Sequence, residues 1–449
     1  NRYVAIGTDK FLLIYFEGQL FDITPLKADI TGATIATDGT TAVCTITTSS
    51  DHNISVGDIV LFDSVTLPAG TGYSASDFED KNFQVISVPS PTTFTITQST
   101  VSTGSASGGS ITLKPYEPVG PAAQSYGYGF GIGNYGGTIT GAATTTINNG
   151  GTFTAGSTSV VLTDSSVMPS TGTLLIENEL MTYTTNTTGT NTISGIVRGV
   201  GDTSDVDHAN GTTVTNATDF TGFGEAVTAS AVTLEPGLWS LNTFGEVLVA
   251  TVLNGKTFTW NAGVADPTSN RASTTTSGFP TTNNPTATRT TLISPTTRHL
   301  IHFGTEVTIG SPATQDDMFI RFSADESINE FTVQQTNTAG SQRLQDGTRI
   351  MGALVAKENI LVWTDNALYT MKFVGAPFTF GFEQVGTNCG LIGQNAAIEI
   401  DGVAYWMSNN GFFSFDGTVN SLPCSVEDFV YDDIDTTKGQ QIAAGINNL

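Results

Sequence analysis

Hydrophobic and polar residues alternate with period two along much of this chain, in paired stretches joined by short polar turns. Four such pairs lie at 3–16, 247–260, 360–375 and 403–417, and the last two read ILVWTDNALYTMKFVG and VAYWMSNNGFFSFDG. Alternation on both sides of a short turn is typical of a β-hairpin. Hairpins that recur about every 40–50 residues predict the blades of a β-propeller.

Helical patterns are nearly absent from the chain. One short helix is expected around 426–434 or in the last residues, and no other segment shows the 3.6-residue period of an amphipathic helix. The sequence therefore predicts an all-β protein, a β-propeller with two inserted small β-barrel or sandwich modules. No run of about 18 apolar residues occurs, so no membrane span is expected.

Two changes of composition interrupt the hairpin pattern and predict domain boundaries. Residues 34–118 are rich in Thr and Ser, and five short strand patterns between AVCTITT and SITLKP predict the first inserted module. Four further strand patterns predict a second module at 139–219. The propeller then consists of a first part at 1–33 and of blades and a C-terminal segment at 220–449, with a Gly/Tyr-rich connector at 119–138.

The connector contains SYGYGFGIGNYGG, in which glycines two positions apart mimic a dinucleotide-binding fingerprint. No strand–helix unit accompanies it, so we predict no cofactor there. We expect its aromatic residues to contact a neighbouring domain or subunit. These candidates are Tyr126, Tyr128, Phe130 and Tyr135.

The chain is strongly acidic, with 41 acidic and 16 basic residues and a formal net charge of −25. Such a surface repels phosphate and disfavours ordinary nucleic-acid binding. Two interpretations stay open: the charge keeps a Thr/Gly-rich β protein soluble, or it forms a wall past which DNA slides. An acidic cluster near the C-terminus either lines such a channel or solvates a turn. Its members are Glu427, Asp428, Asp432, Asp433 and Asp435.

The chemistry-bearing residues form no catalytic or metal-binding motif. The three cysteines lack CxxC spacing and are expected to be buried free thiols, and the four histidines lack the spacing of a zinc site. The acids between 316 and 330 are the residue type that glycoside hydrolysis uses, but they fall around a predicted turn. We therefore predict no catalytic residue, no metal, no cofactor and no enzymatic activity.

The second module resembles a small β module of phage virion proteins through Ile176–Glu179, Tyr183–Thr184, Arg198–Gly199 and His208. Two interpretations of these residues stay open. Glu179 and His208 are a conceivable catalytic pair, but an ion pair between Arg198 and a local carboxylate, which fixes the loop, is the interpretation we favour.

Half of the chain resembles the β-propeller tail nozzle and hub proteins of short-tailed bacteriophages, the group that includes packaged-DNA stabilisation proteins. The resemblance covers 1–30, 120–137 and 235–435. Its matching segments are IYFEGQLFDITP, SYGYGFGIGNYGG, LWSLNTFGEVLVA, FIRFSADESINEFT, ILVWTDNALYTMKFVGAPFTFGFEQVGTNCGLIG and VAYWMSNNGFFSFDG.

The resemblance implies a homo-oligomeric ring, commonly a hexamer, at the distal end of a virion tail. Such a ring gates or guides the DNA channel, contacts adaptor and fibre proteins, and lets viral DNA pass without sequence-specific binding. The alternative is a receptor- or glycan-binding tail protein, with or without weak glycoside hydrolase activity. Because the chain opens at Asn1 inside a strand pattern, we expect that an N-terminal part is missing.

Overall fold

The structure is a computed structural model of the chain. Among the residues it describes, β-strands dominate and one α-helix occurs, α1 (Glu427–Asp433), so the prediction of an all-β protein is confirmed. The chain divides into two compact units, one formed by Asn1–Ala122 with Leu234–Leu449 and the other by Ala123–Thr233. The described residues are 3–119, 124–126, 143–201, 203–218, 230–232, 237–263, 266–357, 359–434 and 436–446.

The first sheet of the larger unit is an antiparallel meander of β1 (Val4–Gly7), β2 (Leu12–Phe16) and β3 (Gln19–Asp22). Its second turn has Glu17 and Gly18 at φ of 48° and 84°. Two successive residues with positive φ form a tight turn whose twist matches the twist of the two strands that it joins.

Residues 30–115 form a curled seven-stranded sheet, here called the barrel, in the order β7-β6-β10-β4-β5-β9-β8. The two strands at its edges, β7 and β8, are consecutive in the chain and are connected by Val85 and Ile86. The sheet therefore curls until its two edges lie side by side. Phe62, Phe78 and Phe94 fill its interior. Its strands are β4 (Ile30–Asp38), β5 (Val43–Thr47), β6 (Ile59–Thr66), β7 (Lys81–Gln84), β8 (Ser87–Ser90), β9 (Thr93–Thr97) and β10 (Ser105–Pro115).

The smaller unit contains a five-stranded sheet, β12-β19-β14-β15-β18, beside a three-stranded sheet, β13-β17-β16, and the pair β11-β20. Phe153, Leu174, Ile176 and Met181 belong to its buried core. The strands are β11 (Gln124–Tyr126), β12 (Thr144–Thr146), β13 (Ser159–Val161), β14 (Gly172–Ile176), β15 (Glu179–Tyr183), β16 (Thr185–Thr187), β17 (Thr192–Ser194), β18 (Val197–Val200), β19 (Thr213–Asn216) and β20 (Ser230–Val232).

Four further antiparallel meanders follow in the larger unit, each with its strands in chain order. The second sheet is β21 (Trp239–Phe244), β22 (Val247–Val252) and β23 (Thr257–Asn261), and the third is β24 (Thr288–Ile293), β25 (Leu300–Thr305), β26 (Phe319–Phe322) and β27 (Gly340–Arg343). The fourth is β28 (Ile350–Val355), β29 (Ile360–Thr364), β30 (Ala367–Gly375) and β31 (Thr379–Thr387). The fifth is β32 (Ala397–Ile400), β33 (Val403–Ser408), β34 (Gly411–Phe415) and β35 (Val419–Ser421).

Each of these five sheets packs on the next one along the chain. Ile14 of the first sheet shares a buried cluster with Trp260 of the second, and Val249 of the second shares one with Leu300 of the third. The third and fourth sheets share another cluster. The fourth and fifth are joined by Trp363 and Trp406, whose ring centroids are 5.4 Å apart. All four tryptophans are buried, so large aromatic area stabilises this unit.

The β-propeller architecture and the predicted domain boundaries stay predictions. No helix in the described part of the chain has the length and apolarity that crossing a membrane requires.

Candidate functional site

Four of the five predicted channel-lining acids lie on α1: Glu427, Asp428, Asp432 and Asp433. The fifth, Asp435, lies outside the described residues.

The helix is anchored to the fifth sheet through Tyr431, whose hydroxyl lies 2.7 Å from the Ser408 carbonyl oxygen and 2.9 Å from that of Gly411. Asp428, Asp432 and Asp433 are exposed, and Glu427 is half-buried. The helix also carries Phe429, of which 76% is exposed. The structure thus places an acidic helix with an uncovered aromatic ring on the surface, and a channel-lining role stays a prediction.

The predicted aromatic contact residues are described only at their first member. Tyr126 ends β11, whose backbone pairs there with Ser230 of β20. Tyr128, Phe130 and Tyr135 lie outside the described residues. Their role in a domain or subunit contact therefore stays a prediction.

Glu179 is the centre of a buried ionic network in the smaller unit. The β14–β15 hairpin places Glu177 in its turn and Glu179 at the start of β15. Arg198 donates from Nε to Glu179 Oε1 at 2.7 Å and from Nη2 to Oε2 at 2.8 Å. His208 Nε2 lies 2.8 Å from the same Oε2, and its Nδ1 lies 3.0 Å from Glu177 Oε2. One imidazole thus bridges two carboxylates, and one of them forms a bidentate pair with arginine.

This network holds its loop in place. The backbone N–H groups of Gly199 and Val206 also donate to Glu179, each at 3.1 Å. Only 1% of Glu179 is exposed. Burial alone would raise the pKa of Glu179, but hydrogen bonds from Arg198, Val206 and His208 lower that pKa to about 2. A carboxylate so fully occupied and so acidic is suited to fixing structure rather than to proton transfer.

The acids between 316 and 330, which are of the residue type that glycoside hydrolysis uses, each have a partner of their own. A general acid in such an enzyme needs a raised pKa. Burial would raise the pKa of Asp316, but hydrogen bonds from Arg343 and from the Met318 N–H bring it below its ordinary value. The contacts are Asp316 with Arg343 at 2.7 Å, Asp317 with Arg289 at 3.4 Å, Asp325 with Thr338 at 3.0 Å, Glu326 with Arg298 at 3.1 Å and Glu330 with Asn337 at 2.9 Å.

One group of carboxylates in the barrel has the proximity that a cation site needs. Asp63, Glu79 and Asp80 bring ligand atoms within 4.8 Å of one another. Lys114 already forms an ion pair with Asp63, and Glu79 accepts hydrogen bonds from the backbone N–H groups at 64 and 65. Internal partners therefore already occupy Asp63 and Glu79, and Asp80 is exposed.

A cleft of about 510 Å³ lies where the first strands of three successive sheets meet. Its lining includes Ala5 of β1, Asn242 of β21 and Ile293 of β24. Asn242 also donates to the Thr291 carbonyl oxygen at 3.0 Å, which ties β21 to β24. The first strands of these sheets therefore face a common space.

A second, smaller cavity of about 280 Å³ has a polar wall that the sequence does not single out. Asn284 lines it, is 2% exposed, and has neither amide atom paired with a protein group. Asn284 lies in TTNNP within a chain rich in Thr and Asn, so no local pattern distinguishes it from ordinary loop residues.

Neither a known family nor a curated protein matches this chain. Among solved structures it is similar to the phage phi92 endosialidase, with 13% identity, a TM-score of 0.23, and coverage of 88% of this chain and 48% of that one. It is also similar to the extracellular domain of a protein described as a hybrid two-component system of B. thetaiotaomicron, with 10% identity, a TM-score of 0.28, and coverage of 95% and 52%. The chain spans about half the length of these two proteins, and likenesses this slight assign neither fold nor function.

Proposed function

We propose that this chain is a structural component of a bacteriophage tail. In this proposal it forms a nozzle or hub ring at the distal tail, which gates or guides the DNA channel and anchors other tip proteins. The observation that carries the proposal is the succession of five meander sheets, each packed on the next, which is how propeller blades are arranged. The sequence resemblance to tail nozzle and hub proteins, which covers the same sheets, supports it.

Hydrogen bonds among the first strands support the propeller. The Ser240 hydroxyl of β21 lies 2.9 Å from that of Thr290 in β24. Gln394, which comes shortly before β32, donates to the same Ser240 at 3.0 Å. A residue beside the fifth sheet thus reaches the second sheet, as expected when first strands surround a common axis.

Exposed apolar side chains support assembly into a ring. A ring needs two different surfaces on every subunit, one for each neighbour. Val374 and Phe378 at the end of the β30–β31 hairpin are 54% and 76% exposed, and Val426 and Phe429 at α1 are 54% and 76% exposed. Apolar groups exposed in this way are typical of interaction sites. We assign these two patches to subunit or tip-protein contacts in a virion tail.

The proposed channel function depends on negative charge. Double-stranded DNA carries about one negative charge per 1.7 Å of axis, so a basic wall would bind it and stall its passage. An acidic wall would repel the duplex toward the axis, and salt would screen that repulsion over about 8–10 Å. This chain therefore needs no enzymatic activity and no cofactor to act on DNA.

The test replaces the four described acids of α1 with lysine in assembled particles. Genome ejection should slow, most strongly at low salt, while assembly stays normal. The matched control makes the same change in net charge at exposed acids elsewhere, namely Glu17, Asp29, Asp51 and Asp401. Ejection kinetics that are unchanged in the α1 variant, or equally slowed in the control, would rule out the channel function. The number of copies of the chain per assembled tail tests the ring. A single copy would rule it out.

The alternative, a receptor- or glycan-binding tail protein, is favoured by one observation. The cavity of about 280 Å³ in the larger unit has space for a small ligand, and the exposed residue Thr282 lines it. The paired acids of 316–330 give no support to hydrolase activity, so the alternative concerns binding.

A further inference from the structure

His302 is a titratable side chain in an otherwise apolar position of the third sheet. It lies in the middle of β25 and is 0% exposed, and neither Nδ1 nor Nε2 has a hydrogen-bond partner among the described residues. His299 of the same strand differs, because its two nitrogens lie 2.7 and 3.0 Å from the hydroxyls of Thr297 and Thr338. Side chains alternate along a strand, so these two histidines face opposite sides of the sheet.

The groups around His302 offer no anion to a protonated ring. Its cross-strand partners are Thr291 of β24 and Arg321 of β26, one neutral and one cationic. Arg321 donates to the Glu306 carbonyl oxygen at 3.3 Å. The Glu306 carboxylate, just beyond β25, is itself buried and accepts from the Gly310 N–H at 2.6 Å. This side of the sheet therefore disfavours an imidazolium ion.

The segment 323–339, between β26 and β27, covers His302. The Phe331 ring centroid lies 5.1 Å from that of the imidazole, with the two planes at 76°. Phe331 and Ile328 are 2% and 4% exposed and share a buried cluster with Val249 and Leu300. The segment forms no strand or helix of its own, so a few buried side chains hold it. Segments of this kind open at a lower free energy than the strands of a core.

Protonation of His302 requires this cover to open. An imidazolium ion has two N–H donors, and burying it without an acceptor is costly. In the open state the imidazole is in water and has its ordinary pKa of about 6.5. In the closed state, burial and then the charge of Arg321 lower the pKa of His302 to about 3. The closed state therefore loses stability relative to the open state as pH falls from about 6.5 toward 3, and it loses none above that range.

We propose that His302 is an acid-sensitive latch, which keeps the segment 323–339 closed at neutral pH and releases it in mildly acidic solution. Release uncovers Ile328 and Phe331 close in sequence to Val333, which is already 60% exposed. Acid thus enlarges the apolar surface on this part of the chain. The proposal goes beyond the ring function and does not depend on it, because the opening is measured on the chain by itself.

The test is hydrogen exchange of 323–339 in the full chain at pH 8 and pH 5, expressed as protection factors, which remove the intrinsic pH dependence of exchange. An open-state pKa of about 6.5 predicts that the opening constant rises about 30-fold between these values. Most free carboxyl groups titrate below pH 5. His302→Leu should abolish the rise, as should His302→Phe, which keeps a ring against Phe331. Neither should lower protection at pH 8, because each removes an unpaired buried polar group.

The matched control is His52→Leu, the same change at a buried histidine of the barrel. His52 is 5% exposed, and its Nδ1 accepts from the Ile54 N–H at 3.0 Å. This variant should keep the native response of 323–339. The proposal is overturned if protection of 323–339 in the native chain is the same at both pH values, or if both His302 variants respond as the native chain does. An equal loss of protection in all sheets of the larger unit would show global unfolding and would also overturn the latch.

Discussion

Replacement of Arg198 by methionine should destabilise the smaller unit by about 3–5 kcal/mol, the cost of breaking a buried ion pair by removing one partner. The side chains of Arg198 and Glu179 are 5% and 1% exposed, so water cannot replace the lost contacts. The pKa of Glu179 falls from 4.5 to about 2 through hydrogen bonds from Arg198, Val206 and His208 together, so the arginine accounts for only part of this drop. At about 1.4 kcal/mol per pKa unit, that drop corresponds to ~3 kcal/mol.

The same network makes the stability of the smaller unit depend on pH. The folded-state pKa of Glu179 lies below its unfolded value, so its contribution is fully present above about pH 4.5. That contribution is lost as pH falls toward about 2, because the unfolded state takes up the proton first. Arg198→Met should flatten the loss of stability between pH 5 and 2, since the main partner that lowers this pKa is gone.

Hydrogen exchange measured by mass spectrometry can follow this unit separately. Peptides within 172–200 report its opening free energy, while tryptophan fluorescence reports the larger unit, which holds all four tryptophans. Arg343→Met is the matched control, because Arg343 pairs with Asp316 at 2.7 Å but is 57% exposed. An exposed pair contributes about 0–1 kcal/mol. A loss for Arg198→Met no larger than that of the control would refute the reasoning.

Three other outcomes are expected. Trp363→Ala should cost the larger unit about 3–5 kcal/mol in urea unfolding, because the ring is fully buried between two sheets. Cys44 should resist a thiol reagent at pH 8 in the folded chain, because burial raises its pKa to about 11, whereas half-buried Cys424 should react; equal rates would contradict this. Arg271→Met should raise the rate of proteolysis in the barrel, since Arg271 donates to the Tyr116 hydroxyl at 2.9 Å just beyond β10; an unchanged rate would show that this contact does not hold the barrel.

Local patterns in the sequence were sufficient for the strands with strong alternation. The segment 360–375 forms β29 and β30 as a hairpin, and 403–417 contains β33 and β34. Both depend on residues close together in the chain, and a side-chain period of two specifies such strands directly. The burial of Cys44 and Cys389 also follows from composition, since unpaired cysteines are among the most buried residues.

Long-range pairing was not visible in the sequence. Five strands were expected in the barrel and seven are found. The segment NFQVISV reads as one strand, but Val85 N–H donates to Asp58 and Ile86 N–H to Thr95, so its two halves pair with opposite edges of the sheet. The missed strand β4 contains Gly32, Ala33 and Ala36, residue types that weaken its strand signal. Its central place in the sheet comes from pairing with β10 and β5.

The site residues show the same division between local and distant information. An ion pair of Arg198 with a nearby carboxylate was expected, but the choice of Glu179 depends on a hairpin and on His208, 29 residues further along the chain. Asn284 differs from its neighbours because its buried amide has no hydrogen-bond partner in the protein. Whether such a partner is present depends on the folded surroundings and not on the local sequence. Neither feature has a sequence signature that periodicity can detect.

The role of the net charge of −25 depends on where the acidic residues lie and not only on how many there are. If the acids serve solubility alone, an equal change of charge anywhere on the surface has the same effect. If α1 faces a channel, only changes there alter DNA passage. The acids of α1 lie beside Val426 and Phe429, which are more than half exposed, and a helix serving only solubility has no reason to expose such groups. The position of these acids next to an uncovered apolar patch therefore favours a specific surface, and the two four-residue lysine variants distinguish the interpretations.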